Sequence, residues 1–333
     1  MKRREGKMKK RTLGKTGWKI TEISLGTWQL GGRWGEKFNA DEARETVRTA
    51  IDRGTNFIDT ADVYSEGLSE NMVGQVVKEY KERIYVATKC GRRLRPHVTE
   101  GYNDGNIRKF VEDSLKNMKV DTIDLIQLHC PPTDVYYNPD VFKTLESLVE
   151  EGKLLYYGVS VEKVEQALKA IEYPKCASVQ IIFNMFRQRP AELFFREAKR
   201  RNVGIIVRVP LASGLLAGKY TRDTKFEKGD HRFFNREGKF FDRGETFSGV
   251  DFVKGLEAVE ELRKLFPENL ALWALRWVLM FDEVSVVIPG ASRREYAETN
   301  MKASDLPPLS DEQMNRVRDI YEKYIKPDVH HLW

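Results

Sequence analysis

Apolar positions in this chain gather into short runs, and most are followed by a longer segment with helical spacing. Around residues 11–20, two short runs flank a Gly-containing turn, which predicts an N-terminal β-hairpin. Ile23-Ser24-Leu25-Gly26-Thr27-Trp28 reads as the first buried strand. After a Gly-rich loop, Ala43, Val47, Ala50 and Ile51 recur at i, i+4, i+7 and i+8, one face of a helix. Asn39 is placed to cap that helix, and Asp41 in its first turn suits the helix dipole. Phe57-Ile58 then form a short buried strand between two turn-like segments.

The alternation continues. Val73, Val76, Val77 and Tyr80 form a helical stripe before the strand Ile84–Lys89, and Ile107, Phe110, Val111 and Leu115 form another before Ile123–His129. A helix near 140–150 stops at Gly152 and leads to Leu155–Ser160; Val164, Ala167, Leu168 and Ile171 precede Ser178-Val179-Gln180. Pro190 stands where a first helical residue would, ahead of Gly204–Arg208. A long insertion and two helices separate that run from the last strand, Val284–Ile288. Eight such units predict a parallel α/β sheet, and favour a closed (β/α)8 TIM barrel over an open doubly wound sheet. No G-x-G-x-x-G follows the first strand, so the Rossmann fingerprint is absent.

Length agrees with that architecture: 333 residues hold one barrel of about 250 residues with insertions. The expected organisation is a basic tail over 1–10 and a single barrel domain over 11–333, with 221–250 as a loop after the seventh strand that covers the site. The net charge of +6 comes partly from the opening Lys/Arg run. No apolar segment follows that run, so it is not a secretory signal; a solubilising tail is preferred to a nucleic-acid arm. The insertion mixes basic and aromatic residues, which could stack on single-stranded nucleic acid, but at this place in a barrel a cover is the better reading. Three scattered cysteines without a C-x-x-C pair point away from disulfides and zinc and towards a cytoplasmic protein. No run reaches the length of a membrane span. Neither a nucleic-acid partner nor an obligate protein partner is implied.

Candidate chemistry lies at the strand ends. Asp59, Lys89 and His129 terminate successive predicted strands, and Tyr64 follows Asp59 by five residues. Catalytic groups of a barrel gather at the C-terminal ends of strands. A phenol is a weak acid, and a neighbouring ammonium lowers its pKa. Lys89 can play that part while Asp59 holds it, Tyr64 can donate a proton, and His129 can orient a carbonyl. Singly, each has a plainer reading as a turn, packing, surface or core residue; together they suit carbonyl reduction beside a hydride donor. A Schiff-base aldolase with Lys89 as nucleophile would use the same barrel. Gly214–Tyr220 resembles a P-loop but is one residue short and has Tyr220 in place of Ser or Thr. His330-His331 has no Cys or carboxylate cluster beside it, so no metal site is expected.

The segments Gly26-Thr27-Trp28, Phe57–Tyr64, Val86–Lys89, Asp124–His129, Gly158-Val159-Ser160, Pro210–Tyr220 and Ile288–Ser292 occur in the order found in aldo-keto reductases, and the chain resembles that superfamily from about Arg11 to Ala303. The resemblance implies an NADP(H)-dependent reductase of a small carbonyl substrate, with a catalytic tetrad at Asp59, Tyr64, Lys89 and His129. It also implies cofactor contacts. Thr27 and Trp28 would border the nicotinamide, Ser160 and Gln180 would hold its carboxamide, and Arg208 would take the place of an aromatic ring that often stacks there. Leu211, Ser213, Leu215 and Lys219 would follow the pyrophosphate. Gly290, Ser292, Tyr296 and Asn300 would meet the adenosine end, with Arg293 and Arg294 close in sequence as candidates to reach a 2′-phosphate. Val161 replaces a common asparagine, and Tyr296 replaces a common Arg or Gln. These departures leave NADH as an alternative to NADPH. Trp28, Trp34 and Phe38 are candidates for an apolar substrate wall, and Trp333 for an approach to the pocket. Some relatives are potassium-channel β subunits, so a cofactor-sensing protein is the rival reading. His129, which those relatives tend to lack, favours an enzyme.

Overall fold

A computed structural model describes residues 8–32, 36–235 and 246–333. Strands β1 (Lys10–Thr12) and β2 (Lys19–Thr21) pair antiparallel and form the expected hairpin. Between them Gly14 has φ +46°, and a Cβ there would lie 2.2 Å from the Gly204 amide nitrogen, so glycine is required for the hairpin to seat. Trp18 closes the N-terminal end of the barrel, stacked on Tyr85 at 4.3 Å and edge-on to Tyr156 at 5.2 Å.

Eight parallel strands follow: β3 (Leu25–Gly26), β4 (Phe57–Asp59), β5 (Tyr85–Cys90), β6 (Ile123–His129), β7 (Leu154–Ser160), β8 (Cys176–Ile182), β9 (Gly204–Arg208) and β10 (Val284–Val287). Each pairs with its neighbour in sequence, the order that successive right-handed crossovers produce. Ser24 N donates to Val287 O at 2.9 Å, and Gly26 N to Pro289 O at 3.1 Å, joining the first barrel strand to the last. The chain is a (β/α)8 barrel, as the strand pattern predicts.

Helices α1 (Ala40–Asp52), α2 (Leu68–Val77), α3 (Asp104–Met118), α4 (Pro139–Glu150), α5 (Val164–Ala170) and α6 (Phe194–Arg200) lie between the strands as an outer layer. In α1 the Asn39 side chain accepts the Glu42 N–H at 3.1 Å, and Ala43, Val47, Ala50 and Ile51 are buried, matching the periodicity. Pro190 departs from expectation. It lies in a short 3-10 turn, Arg189–Ala191, and α6 starts only at Phe194, because Leu193 at φ −131° breaks the helical path and Phe194 and Phe195 then bury their rings. Beyond β9 come α7 (His231–Phe234), α8 (Phe252–Leu265) and α9 (Leu270–Val278); α10 (Arg294–Met301) and α11 (Asp311–Ile320) follow β10. Among the described residues no helix is long and apolar enough to cross a membrane.

Strand alternation sets the position of the site. Phe57, Ala87, Leu125, Ile206 and Val286 fill the barrel interior with Trp18, whereas Ile58, Val86, Ile126, Ile205 and Val207 pack outward against helices. Two residues further along the same inward rows stand Asp59, Lys89 and Gln127, and then His129. The interior is apolar at its base and polar at its C-terminal mouth.

Candidate active site

Lys89 Nζ lies 2.5 Å from Asp59 Oδ1, 2.8 Å from the Thr60 carbonyl and 3.2 Å from the Tyr64 hydroxyl. Lys89 and Asp59 are almost wholly buried. Burial opposes the ammonium charge, but Asp59 and Tyr64 outweigh it and hold the Lys89 pKa above its ordinary value. The other Asp59 oxygen accepts from Gln180 Nε2 at 2.7 Å and from Gln127 Nε2 at 3.2 Å. Three donors therefore fix the position of this carboxylate. Gln127 is absent from the sequence-based candidates; its signal was its place on the inward row midway between Leu125 and His129.

Tyr64 opens a 3-10 turn, Tyr64–Gly67, in which Ser65 and Glu66 take left-handed conformations at φ 47° and 55°. Two such residues in succession cost about 1 kcal/mol or more each, so tertiary contacts rather than local preference set the phenol's position. Its ring meets the His129 ring at 5.9 Å and 81°. His129 Nδ1 is buried and has no hydrogen-bond partner among the described residues. Burial, followed by the charges of Arg92, Lys89 and Arg208, pushes the His129 pKa well below its ordinary value, so the ring is neutral. A carboxylate, an ammonium, a phenol and a neutral imidazole thus converge at the C-terminal mouth of a closed barrel.

The profile of the aldo/keto reductase family matches residues 22–322. The chain belongs to the aldo/keto reductase family. It is 31% identical over 292 residues to aldo-keto reductase YhdN of Bacillus subtilis strain 168, covering 85% of this chain and 84% of that protein. A probable voltage-gated potassium channel subunit beta of Arabidopsis thaliana is 28% identical over 328 residues, covering 91% and 93% of the two chains. Among solved structures, glycerol dehydrogenase AKR11B4 from Gluconobacter oxydans superposes with a TM-score of 0.77 at 30% identity, covering 95% of this chain and 96% of that one. As a member of the family this chain is an oxidoreductase of carbonyl and alcohol groups.

The positions expected to hold a dinucleotide belong to β7, β8 and β9 and to the segments after β3, β9 and β10. Thr27 is buried behind Asp59: its Oγ1 donates to the Asp59 carbonyl at 3.0 Å and accepts from Ser69 at 2.8 Å. Ser160 Oγ lies 3.5 Å from Cys130 Sγ, and Arg208 Nη2 reaches the Val161 carbonyl at 3.2 Å and Cys130 Sγ at 3.5 Å. Gln180 Nε2 donates to Asp59 at 2.7 Å and to Gln127 Oε1 at 3.3 Å, which leaves only its oxygen for a carboxamide.

Along the expected pyrophosphate path, Val209, Ala212, Ser213 and Gly214 all have positive φ. The Ala212 and Gly214 amides donate within this turn, to the Val209 carbonyl at 3.1 Å and the Leu211 carbonyl at 2.9 Å. Gly214 suits its place there because its φ of +93° would strain any other residue. Leu215 is fully buried, so only its main chain faces that path, whereas Lys219 is exposed. At the adenosine end Gly290 bridges to Gly26 and accepts weakly from Asn300 Nδ2 at 3.4 Å. Ser292 is half-buried beside it. Arg293 and Tyr296 are exposed, with the guanidinium 5.4 Å from the ring centre, and the first amide of α10, Arg294 N, donates to Glu42 at 3.1 Å.

Of the proposed substrate wall, Trp28 is half-buried and its ring lies 4.8 Å from that of His231 in α7. The described part of the insertion therefore packs onto the rim beside the mouth. Phe38 lies against Gly31 and is partly buried on the core. Trp34 lies outside the described residues. Asp62, three residues after Asp59, is an acid that the sequence reading overlooked. It is buried, its carboxylate oxygens have no hydrogen-bond partner among the described residues, and burial, followed by Glu70, pushes its pKa up to about 7.

Proposed function

We propose that this aldo/keto reductase is a cytoplasmic enzyme that reduces an aldehyde or ketone to the alcohol, reversibly, with NADPH as the preferred cofactor and NADH as the alternative. A bound nicotinamide would supply the hydride to the carbonyl carbon. Tyr64 donates its hydroxyl proton to the carbonyl oxygen as that oxygen becomes negative, and in the reverse direction the phenolate takes the proton back. Lys89, charged and 3.2 Å away, stabilises the phenolate. Asp59 fixes Lys89, and Gln127 and Gln180 fix Asp59. Neutral His129 offers a hydrogen bond that orients the carbonyl without competing for the proton.

The observation that carries this reading is the single ammonium bonded to both Asp59 and Tyr64. The same bonds weigh against the Schiff-base alternative. A nucleophilic lysine must lose its proton, and here the surroundings retain it. The decisive experiment follows NADPH absorbance with a panel of aldehydes and ketones, for wild type and for Tyr64→Phe. Turnover that disappears in the variant while NADPH still binds supports the reductase; near-normal turnover in the variant sinks the acid assignment. The channel-subunit relative keeps a cofactor-sensing role as second reading. Tight NADPH binding without turnover of any carbonyl would favour it.

A further inference from the structure

Arg187 lies in the loop after β8 and is 1% exposed. Its Nη2 donates to the Glu162 carbonyl, but Nε and Nη1 have no hydrogen-bond partner, and it enters no ion pair among the described residues. The guanidinium is 3.5 Å from the ring centre of Trp333, whose own indole nitrogen is also buried and unpartnered. Stacking against an indole compensates part of the cost of burying a cation. It does so over the face of the guanidinium, however, while the N–H donors lie in its plane and stay uncommitted. Glu162 acts on it as an opposite charge, but among the described residues no carboxylate touches it; a buried cation with open donors is an incomplete site, and what would complete it is an anion.

The neighbourhood links this group to the catalytic mouth. Glu162, whose carbonyl it holds, comes two residues after Ser160 at the end of β7. Arg208, bonded to the Val161 carbonyl and to Cys130 beside His129, acts on Arg187 as a like charge. Arg92, 3.7 Å from the Glu162 carboxylate, is the charge that acts most strongly on His129. Three arginines are thus gathered on the side of the mouth formed by the loops after β5, β8 and β9. Among the described residues Glu162 is the one carboxylate that acts on both Arg92 and Arg187, so positive charge is in excess, and an excess of one sign raises the local concentration of ligands of the other.

We propose that the carbonyl substrate carries an oxyanion, a carboxylate or a phosphate, and that Arg187 receives it through Nε and Nη1 while Arg92 and Arg208 add charge. This inference rests on the reductase reading. With the guanidinium 1% exposed, admission of the anion requires the Trp333 side of this layer to give way.

The test compares kcat/KM with NADPH for matched pairs: 4-oxobutanoate against butanal, and glyceraldehyde 3-phosphate against glyceraldehyde. In the wild type at least one anionic member should exceed its neutral partner by about tenfold or more, the effect of one charge-assisted hydrogen bond. Which pair shows the larger ratio identifies carboxylate or phosphate. In Arg187→Met the ratio should fall to near one, and Arg187→Lys should retain part of it. A ratio taken within one preparation does not depend on the folded fraction, so a poorly folding variant cannot imitate the result. Equal use of neutral and anionic substrates by wild type overturns the proposal. So does a ratio unchanged in Arg187→Met. Weaker NADPH binding in Arg187→Met with the substrate ratio intact would assign the arginine to cofactor phosphate and overturn it too. Absence of turnover with every substrate would overturn the reductase reading itself, and this inference with it.

Discussion

Lys89 and Asp59 form an ion pair at 2.5 Å in which both side chains are buried from solvent. Removing one member of such a pair leaves the other charged and unsolvated, which costs about 3–5 kcal/mol, whereas removing both costs less. Lys89→Met should therefore lower unfolding free energy by an amount in that range, and Lys89→Met combined with Asp59→Asn should recover part of it. Urea denaturation of the two variants checks this. A double variant no more stable than the single one would mean that the lost pair is not the source of the destabilisation.

The Tyr64 hydroxyl makes a different prediction because it contributes little to the core. Tyr64→Phe keeps the ring against His129 and removes only the proton donor. Turnover should fall by about a hundred- to ten-thousandfold, the usual worth of a positioned acid. Thermal stability and NADPH affinity should change little. A large loss of cofactor affinity in that variant would show that the phenol holds the cofactor rather than the carbonyl.

Asp62 gives stability an unusual pH dependence. Its pKa is raised from 3.8 to about 7 in the fold, so between those limits the native state binds a proton that the unfolded chain does not. The Asp62 contribution therefore falls as pH rises through this window, and above it the charged carboxylate is a full penalty beside Glu70, offset in part by Arg93 and Lys89. His129 acts in the opposite sense. Its depressed pKa favours the unfolded state as pH falls below about 6.5. Asp62→Asn separates the two: it should stabilise the protein by on the order of 1–3 kcal/mol at pH 8 and by little at pH 4. Thermal melts of wild type and variant across that range measure the difference, and parallel curves would refute it.

The barrel and three of the four clustered side chains were readable because they rest on periodicity, whereas Tyr64 stands in the turn after β4. Strand alternation that buries Phe57, Ala87 and Leu125 also turns Asp59, Lys89 and His129 inward, so strand ends could be counted from the sequence. Gln127 sat on the same row and was overlooked because an amide between two apolar residues carries no chemical signature by itself. Gln180 was noticed, but its bond to Asp59 depends on strand pairing across the barrel, which no local pattern reveals. Arg187 and Trp333, 146 residues apart, meet only once the chain has folded its last helices under the rim. Pro190 shows the limit of a positional rule. Proline starts a turn there, and burial of Phe194 and Phe195 decides where the helix begins.

Cofactor choice turns on Arg293 and Glu42. Arg293, which on the proposed reading meets a 2′-phosphate, is exposed over Tyr296, while the Glu42 carboxylate accepts the first amide of α10, Arg294 N, at 3.1 Å. A helix N-terminus attracts phosphate, but here a carboxylate already occupies one of its donors and repels a second anion. Arg293→Ala should weaken NADPH by about tenfold and leave NADH nearly unchanged, since only one of the two carries the extra phosphate. Glu42→Gln should act the other way and raise the NADPH preference, because the amide still accepts from Arg294 N without the charge. Fluorescence titration with both cofactors gives the four dissociation constants for each variant and wild type pair. Arg293→Ala that weakens NADH and NADPH equally would place the guanidinium on the adenine or the pyrophosphate instead, and preference would then have to come from Arg294 or from the Glu42 charge alone.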